Sequence, residues 1–76
     1  MSAVSDLEKL KILIPHWVEH NKEHGHEFLR WAEHAEKLGS QEVSLKLKEA
    51  FEEMPSVNDR LLASLEIIGD SAEHHE

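Results

Sequence analysis

A glycine–serine step at positions 39 and 40 separates two long stretches of helical periodicity, and it constrains the fold more than any other feature. Gly39 suits a helix C-terminal cap, because glycine enters the left-handed backbone region without penalty. Ser40 can cap the next helix at once. So short a connection makes the two helices antiparallel neighbours. At 1.5 Å per residue, segment 15–38 spans about 36 Å and segment 41–68 about 42 Å, so the two match as the arms of a hairpin.

The remaining punctuation predicts further helix ends. Ser5-Asp-Leu-Glu8 has the spacing of a capping box, opening a helix that carries Leu7, Leu10 and Ile14. Pro15 removes a backbone donor and disfavours helical geometry at Ile14, so a break or kink is expected there. Val43, Leu47, Ala50, Phe51 and Met54 form one stripe. Pro55 interrupts it, and Ser56 with Asp59 resembles a second capping box. Val57, Leu61, Leu65 and Ile68 continue the stripe to Gly69, which is expected to end the helix. Residues 41–68 are thus either one kinked helix or two. No alternating strand pattern occurs. The expected fold is all-α, a single domain over 1–76 with 1–4 and 70–76 frayed. A short N-terminal helix would pack on the long antiparallel hairpin to give a three- to four-helix bundle, kinked or broken near Pro55.

Seventy-six residues lie close to the size at which one core barely suffices. One helix and a short partner would cover the Val43–Ile68 stripe poorly, so a symmetric homodimer with a four-helix core is expected. There is no cysteine, which excludes disulfides and thiolate metal sites. No apolar run reaches the roughly 18 residues of a membrane span, and the first residues lack signal-peptide character. The expectation is a soluble, cytoplasmic protein. Its net charge of −8 disfavours nucleic acid and anionic membranes as partners.

Five of the seven histidines fall between positions 16 and 34, and His16, His20 and His24 recur every fourth residue. On a helix that spacing stacks them on one face. A wheel over this segment places Trp17, Asn21, Phe28, Ala32 and Ala35 on the core face, and His16, His20, Glu23, Glu27 and His34 beside it. His16 and His20 are spaced to share one ion, with Glu23, His24 or Glu27 as a third ligand from the next turn. Two imidazoles with carboxylates suit zinc, nickel or cobalt. His26 points away, and His74 and His75 are incidental to this set. Trp17 and Trp31 are expected as core anchors. Asn21 on the core face needs a hydrogen-bond partner. Gly25 marks a close helix approach, at Ala50 or Ala63.

The stretch from Ile14 to His24, followed by Phe28-Leu-Arg-Trp-Ala32, resembles a family of small uncharacterised helical proteins from prokaryotes. Their shared signature, His-Trp-x-x-His-Asn-x-x-His, is matched by His16, Trp17, His20, Asn21 and His24. The resemblance implies an α-hairpin or small bundle, and that these five positions act together; it implies no established activity. The leading expectation is a non-enzymatic carrier, buffer or sensor for nickel, cobalt or zinc. The alternative is a helical interaction or dimerisation module without metal. A lesser one is a di-iron carboxylate site built by a dimer, since Glu23-His-Gly-His26 has the glutamate and histidine spacing of such helices.

Overall fold

The computed structural model describes the backbone of residues 3–73 and the side chains of 6–69. Two helices make up the fold, α1 (Ala3–Lys37) and α2 (Gln41–Glu73), and the described residues contain no strand. The expected fraying of 1–4 and 70–76 falls at or beyond these limits, and His74 and His75 lie outside the described residues.

The turn forms as its sequence requires. Gly39 has φ +87°, and its N–H donates to the Glu36 carbonyl at 3.0 Å, while the Ser40 N–H donates to the Ala35 carbonyl at 2.9 Å. This pair of bonds is a Schellman motif, satisfying carbonyls that the helix end would otherwise orphan. The Ser44 N–H then donates to the Ser40 carbonyl at 3.0 Å, the first bond of α2. A Cβ at Gly39 would meet nothing within 4 Å, so a side chain there is opposed by backbone conformation alone. Gly39→Ala is therefore expected to cost about 1 kcal/mol. In thermal unfolding, that lowers the midpoint by roughly 4–8 °C for a domain of this size.

The expected separate N-terminal helix is absent. α1 runs continuously through Pro15 and begins at Ala3, so Ser5–Glu8 opens nothing. α2 likewise runs through Pro55 and past Gly69, which leaves Ser56 and Asp59 in mid-helix. Both prolines are exposed, which turns the interrupted part of each backbone ladder toward water. Burial of Ile14 and Val18 on either side of Pro15 holds the helix together across it.

The interhelical seam on α1 is Ile14, Val18, Asn21, Gly25, Phe28, Ala32 and Ala35, all buried or half-buried. On α2 it is Ser44, Leu47, Phe51, Met54, Asn58, Leu61, Leu65 and Ile68. Spacings alternate between three and four residues, the heptad pattern of an antiparallel coiled coil. The Asn21 Nδ2 donates to Asn58 Oδ1 at 3.1 Å. A Cβ on Gly25 would lie 3.4 Å from Met54 Cγ and 3.7 Å from Phe51 Cδ1. Stepping four residues up α1 from Asn21 to Gly25 thus steps four down α2 from Asn58 to Met54. The close approach expected at Gly25 is real, but its partners are Met54 and Phe51 rather than Ala50 or Ala63.

The largest apolar cluster lies far from the turn, where Ile14, Val18 and Ile68 are buried with Leu10, Leu61 and Leu65 packed against them. The molecule is a rod of 59 × 20 × 14 Å, so in its thinnest direction it is a single helix layer.

Candidate functional site

One residue before the α1 seam runs a second seam with the same alternating spacing: Leu13, Trp17, His20, His24, Glu27, Trp31, His34 and Leu38. All eight are exposed. Leu38 follows the last helical residue, yet its N–H still donates to the His34 carbonyl at 3.1 Å, which keeps it in line. Trp17 is 40% and Trp31 55% exposed, so neither is the core anchor expected from its size. The core face is the expected one at every position but Trp17. Ala32 and Ala35 are buried and Asn21 and Phe28 half-buried as expected, whereas Val18 takes the place assigned to Trp17.

Along this strip, with His16 and the seam residue Phe28 joining from either side, the rings form a ladder. The His20 and His24 rings are stacked, with centroids 4.8 Å apart and planes 11° from parallel. His16 meets His20 edge-on at 6.1 Å. Phe28 stacks under His24 at 6.3 Å, and Trp31 meets His34 edge-on at 5.3 Å. His24 Nδ1 lies 3.5 Å from Glu27 Oε1, and Arg30 reaches the other oxygen of Glu27 at 3.6 Å. Trp17, His20, Asn21, His24 and Leu61 line an open cleft beside the seam.

Of the five expected ligands, the structure therefore joins His16, His20, His24 and Glu27 into one chain of neighbours. Glu23 is exposed on the same helix and joins none of these contacts. His26 lies across the seam, 6.5 Å from the Phe51 ring, as its wheel position implied. Among the described residues no three histidines or carboxylates converge as a metal-holding group. His20 and His24 are both exposed, so their rings are free to turn about their χ angles.

The helical wheel sets Trp31 beside His24, between the core face and the histidine face, but leaves out Leu13 and Leu38 at the two ends of the strip. Leu13 precedes His20 by seven residues, Trp31 follows His24 by seven and Leu38 follows Trp31 by seven, a spacing that drifts only about 20° around the helix at each step. Val43 and Val57 show the same offset on α2, one residue before Ser44 and Asn58, and they are 54% and 44% exposed. None of the described helices is long and apolar enough to cross a membrane.

A family model for a domain of unknown function (DUF8180) matches residues 10–68 of the chain. An uncharacterised protein from the archaeon Archaeoglobus fulgidus is 42% identical over 65 residues, covering 83% of this chain and the whole of that relative. No solved structure matches.

Proposed function

The chain belongs to the DUF8180 family, and we propose that it is a non-enzymatic binder of a divalent transition metal, nickel, cobalt or zinc, held by the histidines of α1. The observation that carries this reading is the stacked His20–His24 pair with Glu27 beside it, outside the core. Histidines kept for packing would be buried against neighbours. These stand in water, one turn apart, and their nitrogens are available to an ion. His20 is central, since it neighbours both His16 and His24. A two-imidazole site with one carboxylate would hold such an ion as a carrier, buffer or sensor does, with open positions left on the metal.

A second reading is favoured by the exposed apolar groups: the strip is a docking surface first, and the protein a helical interaction module. Contiguous exposed apolar surface on a small domain marks such sites. The two readings separate by calorimetry with zinc and nickel at neutral pH. On the metal reading, His20→Ala weakens binding more than tenfold, about 1.4 kcal/mol, and metal raises the thermal midpoint of the unaltered chain. Undiminished affinity in the His16→Ala/His20→Ala/His24→Ala triple variant would mean that the strip is scaffold, and would leave the docking reading alone.

A further inference from the structure

The exposed strip has a symmetry that one chain cannot use. Read from its two ends inward, Leu13 matches Leu38, Trp17 matches His34, His20 matches Trp31, and His24 matches Glu27. Each pair is centred on the same point, between Gly25 and His26. Laid antiparallel against a copy of itself, α1 would set leucine on leucine, ring on ring and, at the centre, imidazole on carboxylate. We propose that a second copy of this chain docks on this strip, antiparallel, about a two-fold axis passing between Gly25 and His26.

Two further observations carry the occupant. The chain exposes 6061 Å², against about 4,800 Å² for a compact monomer of 8.8 kDa. The surplus of roughly 1,300 Å² is what a rod one helix thick leaves uncovered along its length, and a standard interface asks approximately 800 Å² of each partner. Donor–acceptor complementarity between imidazole and carboxylate selects a self-partner in this direction. Glu27 already attracts His24 and Arg30 within its own helix, and the antiparallel register brings it the partner subunit's His24 as well. A parallel pairing would set His24 on its own copy and Glu27 on its own copy.

Around the axis the dimer gathers His24 and Glu27 from each copy, two imidazoles and two carboxylates. Four such donors match the tetrahedral preference of zinc, whereas one chain brings no three together among the described residues. This metal at the axis rests on the reading given above; the docking itself does not. The assembly is a four-helix bundle whose added core is the tryptophan–histidine strip.

The test is sedimentation equilibrium of the full chain in EDTA and in zinc chloride, joined to cysteine cross-linking, for which the chain offers a cysteine-free background. Docking predicts a species of twice 8.8 kDa. It also predicts that Trp31→Glu weakens association more than tenfold while the far-ultraviolet helix signal is kept, since Trp31 is exposed in the hairpin. Positions 13 and 38 are about 38 Å apart along a helix. On oxidation, a mixture of Leu13→Cys and Leu38→Cys chains should therefore cross-link to each other, and neither should cross-link alone. Zinc should tighten the dimer more than tenfold, and His24→Ala should abolish that effect. A chain that stays at 8.8 kDa, or Leu13→Cys linking to itself, overturns the docking. An antiparallel dimer that ignores zinc overturns the metal at the axis, and zinc bound by a chain that remains monomeric leaves the metal reading standing without the dimer.

Discussion

Replacing Ile14 by alanine should lower the stability of the fold by about 3 kcal/mol, in the range for truncating a large aliphatic side chain in a core. Ile14 is 3% exposed and sits at the centre of the cluster with Val18 and Ile68. A slender two-helix rod has few neighbouring side chains to collapse into the space left behind. Urea unfolding at fixed protein concentration would read the change, and thermal unfolding should show a loss of at least 10 °C. Ile12, two residues earlier and 75% exposed, is the control. Ile12→Ala should move stability by no more than about 0.5 kcal/mol. Equal effects at the two positions would mean that this cluster does not hold the helices together.

Asn58→Ala comes next in size, at about 2 kcal/mol. Asn58 is 7% exposed and accepts the hydrogen bond from Asn21 across the seam. Truncation leaves the Asn21 amide half-buried without its partner, and an orphaned polar group costs about 1–3 kcal/mol. The double replacement Asn21→Leu/Asn58→Leu behaves differently. It removes both polar groups together, so stability should be restored or raised, while the amide pair that favours one register is lost. Chemical unfolding of the single and double variants gives the comparison. A double variant no more stable than Asn58→Ala would show that the pair acts through shape rather than through its hydrogen bond.

The turn and the antiparallel pairing were legible because Gly39 and Ser40 act locally: one relieves a backbone constraint and the other begins the next helix within hydrogen-bond reach. The histidine strip was legible for the same reason, since i, i+4 spacing fixes a face wherever the helix runs. Pro15 and Pro55 misled because a local penalty was set against packing that only the folded hairpin reveals. Each helix is carried through its proline by buried neighbours, and the proline itself faces water. Trp17 misled in the opposite sense. Its size suggested burial, yet the seam needs small or slender groups at Gly25, Ala32 and Ala35 for the helices to approach, and a tryptophan row would hold them apart. Asn21 announced its need for a partner, whereas the identity of that partner required the register between the arms.

The Gly39 turn also has a kinetic consequence. Bringing Ala35 to Ser44 closes a loop of about nine residues, whereas bringing Ile14 to Ile68 closes one of about fifty-four, an added entropic cost of roughly 1.6 kcal/mol. Nucleation therefore favours the turn end, while the apolar reward lies at the opposite end, in the cluster of Ile14, Val18 and Ile68. The side chains next to the turn, Ala32, Ala35 and Ser44, are small and return little when they meet. A chain that has closed only its first turns gains too little to persist, so pairing must travel nearly the whole rod before it is secured. Substitutions at Gly39 should accordingly appear in the rate of folding, and substitutions at Ile14 in the rate of unfolding.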